Sequence, residues 1–480
     1  MSNESKDISA DPVDVIIFGA GPAGLAAAVK LVKNGKKVIV FEKEDQVGGI
    51  SKTKEYHNYR FDLGGHRFFT KSREVNELWE ETLGGEFLVR PRLSRIFYRN
   101  RFFDYPIKPV NALKGLGLSE SFLILGSYVK AKLLPQKEEK NFQQWVSNRF
   151  GQRLFDHFFK SYTEKLWGIP CDEIQAEWAA QRIKGLSMTS ALKNAMFPDK
   201  SGKIKTLIEE FKYPKYGPGM MYEKMAENAE KMGCVILKET KVVSLRHNGT
   251  KVDSVIVKDR SGAEKEYTAG AYLSSMPLTG LVQKMNPAPS NDALDAARNL
   301  SYRSFLTVSV ILKGENPFPD TWIYIHSPEV KMGRIQNFKN WSPFMVPDEN
   351  HIALGLEYFA TEGDELWQMR DEDLIDLALT ELEKIHLGRK DNFQAGFVIR
   401  VPKAYPVYDS TYPGNIQKVK EYLGKFENLQ PIGRYGMFKY NNMDHSILTG
   451  LYAAENLLGG HHDVWDVNAD QEYHEESKTG

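Results

Sequence analysis

Residues 13–24 read VDVIIFGAGPAG, and they are followed by LAAAVKLVKNG and KKVIVFEK. The first six residues form a short, continuous apolar run, which is typical of a strand buried on both faces of a parallel sheet. The next segment, rich in Ala and Leu, predicts a helix that ends at Asn34-Gly35. A second apolar run predicts a second strand, with Glu42 near its end. This β-α-β unit of about 30 residues indicates an α/β fold of the Rossmann-like kind.

The turn between the first strand and the helix contains three glycines, each with a separate physical task. Gly19 permits the tight turn, Gly21 lets the backbone approach a pyrophosphate, and Gly24 lets the helix pack close to the sheet. The helix N-terminus offers free N–H groups to a diphosphate. Glu42 lies eighteen residues after Gly24, where its carboxylate can accept hydrogen bonds from a ribose diol. These residues predict a dinucleotide site for NAD or FAD, against the alternative of a glycine turn without a ligand.

The composition is that of an ordinary soluble globular enzyme. The 480 residues, 41% of them hydrophobic and 26% charged, are enough for two or three lobes. Lysines plus arginines equal aspartates plus glutamates at 63 each, so the net charge gives no attraction to nucleic acid. Two cysteines without a paired pattern fit a reducing cytoplasm and argue against a disulfide scaffold. The first eleven residues lack the regions of a signal peptide, so we expect a cytoplasmic protein.

The rest of the chain alternates between helical and strand-like segments. No run of about 20 apolar residues occurs, so we expect no membrane-spanning helix. Residues 116–134 come nearest, but their Ser, Glu and Lys favour an amphipathic globular helix over peripheral membrane contact. Residues 105–215 predict mostly helices, and residues 299–360 alternate as strands do. Asn248-Gly249 and Ser261-Gly262 predict hairpin turns.

The residues after Glu42 distinguish FAD from NAD. Glu42 leads into Gly48-Gly49, which resembles the E-x(5)-GG extension of two-domain FAD proteins of the amine oxidase and protoporphyrinogen oxidase superfamily. Near the other end of the chain, Gly433-Arg434 precedes a helix opened by His445-Ser446. The resemblance implies that this second helix N-terminus also reaches the FAD phosphates. The cofactor-binding residues implied are Gly19, Gly21, Gly24, Glu42, Gly48, Gly49, Gly65, Gly433, Arg434, Asp444, His445 and Ser446.

These segments predict a Rossmann-like FAD-binding domain that is interleaved with substrate domains. The FAD-binding domain is expected in three parts, residues 1–104, 215–285 and 425–480. A helical substrate domain is expected at residues 105–214 and an antiparallel-sheet substrate domain at residues 286–424.

Further motifs are scattered along nearly the whole chain. They are Phe61–His66 (FDLGGH), Lys160–Gly168 (KSYTEKLWG), Arg182 in AEWAAQRI, Tyr302–Ser304 (YRS), Tyr405–Pro406 (YP), Gly433–Gly436 (GRYG), Tyr440 and Asn442–Ser446 (NMDHS). Together they resemble the UDP-galactopyranose mutases, and the YTEKLWG segment and the last block are the more specific matches. Asn441 stands where the bacterial mutases have tyrosine, so the chain falls between the bacterial and the eukaryotic branch.

The resemblance implies an FAD-dependent mutase that interconverts pyranose and furanose forms of a nucleotide sugar, with N5 of the reduced flavin as nucleophile at the anomeric carbon. An external reductant such as NAD(P)H would prime the FAD. His66, Arg182 and Arg303 are then the catalytic candidates. The substrate-binding candidates are Tyr162, Trp167, Tyr302, Tyr405 and Tyr440. These types suit a diphosphate, because arginine binds phosphate oxygens bidentately and tyrosine donates a hydrogen bond.

Each candidate also has a purely structural interpretation. Arg182 could form a surface ion pair, Trp167 could belong to the core, and His66 could cap a glycine turn. Tyr302 and Tyr440 fall in strand-like segments and could serve interior packing.

The alternative function is that of an FAD-dependent oxidoreductase of the protoporphyrinogen oxidase, amine oxidase or desaturase type, acting on an apolar substrate. The set of arginines and tyrosines favours the mutase. We predict no metal site, because adjacent histidines such as those in His461-His462-Asp463 seldom converge on one ion. The nucleotide base, the sugar and homo-oligomer formation are left open.

Overall fold

The computed structural model describes residues 13–105, 107, 109–176, 206–207, 210–468 and 476–477. The strands are β1 (Val13–Phe18), β2 (Val38–Phe41), β3 (Thr53–Tyr56), β4 (Tyr59–Asp62), β5 (Phe87–Pro91), β6 (Ser94–Tyr98), β7 (Arg101–Asp104), β8 (Thr206–Leu207), β9 (Glu210–Pro214), β10 (Val235–Leu237), β11 (Lys241–His247), β12 (Val252–Lys258), β13 (Glu264–Tyr267), β14 (Ala269–Ser274), β15 (Met285–Asn286), β16 (Tyr302–Lys313), β17 (Trp322–Ile325), β18 (Arg334–Asn337), β19 (His351–Ala360), β20 (Phe393–Pro406), β21 (Leu429–Pro431) and β22 (Glu476–Ser477).

Helices separate these strands. They are α1 (Pro22–Lys33), α2 (Arg73–Leu83), α3 (Pro109–Leu116), α4 (Leu118–Leu133), α5 (Phe142–Phe150), α6 (Gln152–Phe155), α7 (Ser161–Trp167), α8 (Gly219–Lys231), α9 (Leu278–Gln283), α10 (Asn291–Asn299), α11 (Phe338–Trp341), α12 (Glu365–Gln368), α13 (Asp371–Lys384), α14 (Tyr412–Leu423), α15 (Gly433–Gly436) and α16 (Met443–Leu457). A π-helical segment, Asp156–Lys160, joins α6 to α7.

A five-stranded parallel sheet forms the centre of the first lobe, in the spatial order β10-β2-β1-β14-β21. The β-α-β unit predicted from residues 13–42 is confirmed, since β1 pairs in parallel with β2 on one side. On its other side β1 pairs with β14, which comes from much later in the chain. The strand order therefore changes direction beside β1, and ligands of open α/β sheets bind at such points, beyond the carboxyl ends of the strands.

Helix α1 crosses α16 at very short distance on this sheet. A Cβ atom added to Gly450 of α16 would lie 2.1 Å from the carbonyl oxygen of Ala23 in α1. A Cβ atom on Gly24 would lie 2.0 Å from the carbonyl oxygen of Gly19, in the preceding turn. Glycine is thus required by close backbone approach at both positions.

The second sheet has seven strands in the order β20-β16-β19-β18-β17-β6-β7. Its neighbours are antiparallel except for β17 and β6, which pair in parallel. The strands β6 and β7 come from residues before 105, so this sheet also takes in part of the segment that was expected in the FAD-binding domain. The lobes are therefore interleaved in the chain, as the fold class predicts.

The helices α3 to α7 surround a core rich in aromatic side chains, including Phe142, Phe155 and Phe158. The helical prediction for residues 105–215 is wrong at its end, where Glu210–Pro214 forms strand β9. Phe211 and Tyr213 alternate along this strand and are buried, and the strand pairs antiparallel with β5. A period of two residues in the burial is what a strand requires.

The remaining expectations concern membrane-spanning helices and the two cysteines. Within the ranges that the structure describes, no helix is both long enough and apolar enough to cross a membrane. Cys171 and Cys234 are free thiols in buried positions.

Candidate functional site

The glycine turn and Glu42 form one hydrogen-bonded unit at the carboxyl end of β1. Gly19 has a φ of +97°, which L-residues with a side chain rarely adopt. The carboxylate of Glu42 is 5% exposed and accepts hydrogen bonds from the backbone N–H groups of Ala20, at 2.7 Å, and Glu44, at 2.9 Å. Burial raises the pKa of Glu42, although these two N–H groups oppose the shift. Glu42 is thus fixed beside the turn, as the dinucleotide hypothesis requires.

The Gly48-Gly49 pair lies directly against the same turn. The N–H group of Gly48 donates to the carbonyl oxygen of Ala20 at 2.8 Å. A Cβ atom on Gly49 would lie 3.4 Å from the Cα atom of Gly21. Two glycine backbones therefore face each other, and they form a cradle that side chains would fill.

The C-terminal glycine turn meets the N-terminal one. Gly433 has a φ of +73°, and a Cβ atom there would lie 2.9 Å from the Cβ atom of Ala23 in α1. Its N–H group donates to Thr449 Oγ1 at 2.9 Å, which ties the turn to α16. Helix α16 begins with Asn442 as its N-cap, and the side chain of His445 completes the capping box. Segments from both ends of the chain therefore contribute to one site.

The residues at this site fit a flavin dinucleotide. The cradle is lined by backbone, so a diphosphate could approach it without a clash. The starts of α1 and α16 offer N–H groups to the phosphates, and Glu42 offers an acceptor to the ribose. The FAD-binding roles of the individual residues remain predictions of the sequence.

The histidine loop lies against the second sheet. A Cβ atom on Gly65 would lie 3.1 Å from Gln336 Nε2 in β18. The ring of His66 is half-buried, and its Nδ1 atom is 3.0 Å from the carbonyl oxygen of Gly64. Burial and the positive charges of Arg434 and Arg334 lower the pKa of His66 to about 4. The imidazole is therefore neutral at physiological pH and cannot act there as a cation.

Arg334 and Glu357 form an ion pair that sequence reasoning missed. They lie opposite each other on β18 and β19, and Arg334 Nε donates to Glu357 Oε2 at 2.9 Å. The other carboxylate oxygen accepts from Gln336 Nε2 at 2.8 Å, and the Glu357 side chain is fully buried. The available signal was a single glutamate within the apolar stretch HIALGLEYF, which is buried at every position after His351.

Two of the tyrosines predicted to bind substrate stack beneath Arg434, which the sequence predicted at the cofactor. The rings of Tyr405 and Tyr440 lie 5.8 Å apart with an interplanar angle of 19°. The guanidinium of Arg434 lies 4.2 Å from the Tyr440 ring centroid and 5.1 Å from that of Tyr405. Arg434 also donates to the carbonyl oxygens of Ala404 and Asn441. Burial is the main cause of the raised pKa of Tyr405, so its phenol stays protonated and can donate a hydrogen bond.

Tyr162 reaches the same region from α7. Its ring stacks on that of His326 at 4.7 Å and meets Tyr324 edge-on at 5.6 Å. Burial raises the pKa of Tyr162, and Arg334 opposes that shift. We call Arg334, Arg434, Tyr162, Tyr405 and Tyr440 the arginine–tyrosine cluster.

The base of this cluster is held by Lys165. Its ammonium group donates to the carbonyl oxygens of Ile325, Ser327 and Met332, at 3.2, 2.7 and 3.1 Å. These contacts tie α7 to the loop that carries His326. Burial of the Lys165 ammonium lowers its pKa to about 8. The pKa of His326 is lowered to about 3 by burial of its ring and by the nearby charge of Lys165.

Arg303 lies at the C-terminus of α7. Its guanidinium donates to the carbonyl oxygens of Leu166 and Lys165, at 3.3 Å each, and to the hydroxyl of Thr361. A Cβ atom on Gly168 would lie 2.6 Å from Arg303 Cζ, so the glycine that ends the YTEKLWG motif makes room for the guanidinium. A cation at this end of a helix is also favoured by the helix dipole.

The other predicted residues are not in the cluster. Tyr302 packs edge-on against Phe438 at 4.6 Å, on the face of β16 opposite to Arg303. Trp167 is 3% exposed and belongs to the aromatic core of the helical lobe, which is the packing interpretation. A substrate contact by Trp167 remains a prediction of the sequence. Arg182 lies outside the described residues.

The chain matches the family described as flavin containing amine oxidoreductase over residues 22–464, and it belongs to that family. Its cofactor is FAD, in agreement with the backbone cradle and Glu42. The fold of the amine oxidase superfamily, which the resemblance of the Glu42 to Gly49 segment implied, is confirmed.

Similar proteins include both oxidoreductases and a mutase. Protoporphyrinogen oxidase 2 of Arabidopsis thaliana is 23% identical over 503 residues, covering 92% of this chain and 93% of that protein. The 15-cis-phytoene desaturase of Synechococcus elongatus is 22% identical, covering 92% and 95%. A reduced UDP-galactopyranose mutase superposes with a TM-score of 0.82 at 22% identity, covering 96% of this chain and 98% of that one. This last likeness establishes a shared fold.

Proposed function

We propose that this protein is an FAD-dependent mutase that interconverts the pyranose and furanose forms of a nucleotide sugar. The observation that carries the proposal is the arginine–tyrosine cluster beside the His66 loop. An apolar substrate would need an apolar tunnel at this place, whereas guanidinium and phenol groups suit the diphosphate of a nucleotide sugar.

The charges of the cluster support an anionic substrate. The charge of Arg334 is balanced by the buried carboxylate of Glu357. Arg434 lies over the rings of Tyr405 and Tyr440 and donates to two backbone carbonyls, and none of these contacts pairs it with a carboxylate. A diphosphate leaving group of charge about −2 would be stabilised there.

The chain's own residues would orient the sugar and the leaving group. The reduced flavin, once bound, supplies a nucleophilic nitrogen for the anomeric carbon. Tyr405 and Tyr440 donate hydrogen bonds to the diphosphate, and Arg434 stabilises its charge. His66, as a neutral imidazole, accepts or donates a hydrogen bond at the flavin ring. Arg303 acts by holding the end of α7, which carries Tyr162, and a direct phosphate contact by Arg303 or Arg182 remains a prediction of the sequence.

The experiment is a product assay with the reduced holoprotein. The protein is reduced with dithionite, and UDP-galactopyranose, its TDP counterpart and other nucleotide sugars are added in separate reactions. We expect one of them to yield a furanose isomer, identified by chromatography and NMR, only when the flavin is reduced. NAD(P)H should replace dithionite. If none of the sugars isomerises or protects the protein from proteolysis, the proposal is wrong.

A matched pair of variants tests the site. Tyr405→Phe removes a phenol of the cluster, and we expect its kcat/KM to fall by about tenfold or more, as loss of one hydrogen bond to a charged group does. Tyr302→Phe removes the same group from the neighbouring strand β16, on the opposite face of the sheet, and should leave kcat/KM within about twofold. Equal losses in both variants would contradict the assignment of the cluster as the substrate site.

An oxidoreductase is the second candidate, because the likeness to protoporphyrinogen oxidase 2 and to the desaturase extends over 92% of this chain. It predicts that oxidised protein consumes oxygen or another acceptor with an apolar substrate such as protoporphyrinogen. Turnover in that assay, without any sugar isomerisation, would decide for it.

A further inference from the structure

Helix α4 carries an exposed stripe of large apolar side chains. Leu118, Phe122, Val129 and Leu133 are 81%, 74%, 52% and 74% exposed. Their spacings of four, seven and four residues place them on one face of the helix. Leu134, which follows the helix, is 73% exposed. The opposite face is anchored in the helical lobe through buried residues, so the helix cannot rotate to hide the stripe.

The charges on α4 are sorted around this stripe. Lys130 and Lys132 lie on either side of it, near the C-terminal end, and both residues are exposed, although Lys132 Nζ also donates to the carbonyl oxygen of Asn148 at 3.2 Å. The acid of the helix, Glu120, points away from the stripe, where it accepts hydrogen bonds from Arg153 and from His157 Nε2. The exposed face of α4 therefore presents apolar side chains bordered by cations.

We propose that α4 docks this protein on the surface of a lipid bilayer that contains anionic lipids. The apolar stripe would lie at the boundary between headgroups and acyl chains, and the helix would run parallel to the membrane plane. The two lysines would extend to the anionic headgroups while their methylene stems cover apolar surface. The proposal is independent of the proposed function, since it rests on α4 alone.

Charge complementarity favours a bilayer over a second copy of the chain. If two copies met through this stripe, Lys130 and Lys132 of each copy would approach the α4 helix of the other. The acid of that helix, Glu120, is already bonded to Arg153 and His157, so the lysines would find no anionic partner on α4. Anionic lipid headgroups can pair with both lysines whichever way the helix points in the membrane plane. Interfacial helices commonly have this arrangement, an apolar face bordered by basic residues.

The test is co-sedimentation of the holoprotein with sucrose-loaded vesicles. One set of vesicles contains phosphatidylcholine alone, and the other also contains phosphatidylglycerol. We expect binding to the anionic vesicles that weakens as salt is added, because the lysine contribution is screened. In a Phe122→Trp variant, the emission of the new indole should shift to the blue when anionic vesicles are added. No sedimentation with either set would overturn the proposal.

Two matched variants assign the binding to α4. Phe122→Ser with Leu133→Ser should weaken vesicle binding by at least tenfold, since two large apolar side chains are lost from the membrane face. Val89→Ser removes a side chain that is 62% exposed on β5 and should leave vesicle binding unchanged. If the double variant instead converts a dimer into a monomer in light scattering and binds vesicles normally, the stripe is a contact between copies and the proposal is wrong.

Discussion

Arg334 and Glu357 show, at the scale of single residues, that a buried charge is stable only with its partner. The carboxylate is fully buried in the seven-stranded sheet and bonds both Arg334 and Gln336. We expect Arg334→Met to lower the free energy of unfolding by about 3–5 kcal/mol, because it leaves an uncompensated buried charge. Arg334→Met with Glu357→Leu should cost less than the single change. Chemical denaturation measures both.

The control is an exposed ion pair of the same type. Arg60 pairs with Glu55 at 2.8 Å on the surface, and Arg60→Met should cost about 1 kcal/mol or less. A cost for Arg334→Met no larger than that of Arg60→Met would show that the buried pair is hydrated.

Asp62 makes the stability of the protein depend on pH. Burial raises the pKa of Asp62 to about 7, although hydrogen bonds from Tyr213 and Thr53 oppose the shift. The folded protein therefore binds one more proton than the unfolded chain between pH 4 and pH 7. This contribution to the free energy of unfolding is fully present below about pH 4 and is lost as the pH rises to 7, with a slope of at most about 1.4 kcal/mol per pH unit.

The measurement is urea denaturation across that pH range, with Asp62→Asn as the comparison. The variant cannot titrate at this position, and its profile should lack the decrease that Asp62 causes in the wild type. Parallel profiles for the two proteins would place the pKa of Asp62 near its ordinary value.

At the scale of elements, α1 and α16 depend on glycine at their crossing. Gly450→Ala would bring a methyl group to 2.1 Å from the carbonyl oxygen of Ala23, so the two helices must separate. We expect a loss of about 1–3 kcal/mol in the free energy of unfolding, together with a lower flavin content measured by absorbance. Gly126→Ala in α4 meets open space and should be neutral or stabilise by up to about 1 kcal/mol. Equal effects of the two changes would argue against the close crossing.

Helix α7 depends in a similar way on Arg303. The side chain donates to Leu166, Lys165 and Thr361, so Arg303→Met should cost about 1–3 kcal/mol and speed amide exchange within α7. Arg303→Lys should retain part of the effect, because the positive charge at the helix end is kept. Unchanged exchange in α7 combined with weaker nucleotide binding would show that Arg303 acts on the substrate directly.

The elements also show what the sequence could predict. The strand–turn–helix unit was readable because glycine spacing, apolar runs and Glu42 all describe local geometry. Strand β9 was not readable, because its pairing with β5 joins segments that are far apart in the chain. The Arg334–Glu357 pair was missed for the same reason, since an ion pair across two strands leaves no local spacing in the sequence.

At the scale of the whole molecule, the predicted FAD site is built from segments far apart in the chain. Residues near Gly19 and residues near Gly433 meet at Ala23, so bound FAD should stabilise the folded state as a unit. We expect the melting temperature to fall when FAD is removed and to rise when FAD is added. A thousandfold excess of FAD over its Kd should raise the free energy of unfolding by about 4 kcal/mol. Differential scanning fluorimetry measures this, with AMP as the control ligand. A melting temperature that does not depend on FAD would contradict a site built from both ends.

The meeting of α1 with α16 also has a consequence for biosynthesis. A ribosome makes the glycine turn of residues 19–24 before it makes Gly433 and α16, which follow about 400 residues later in the chain. Until then the nascent chain exposes the face of α1 that α16 later covers. The two halves of the predicted cofactor site can therefore meet only after Gly433 and α16 have been synthesised, and until then the apolar face of α1 that α16 covers has to be shielded in another way.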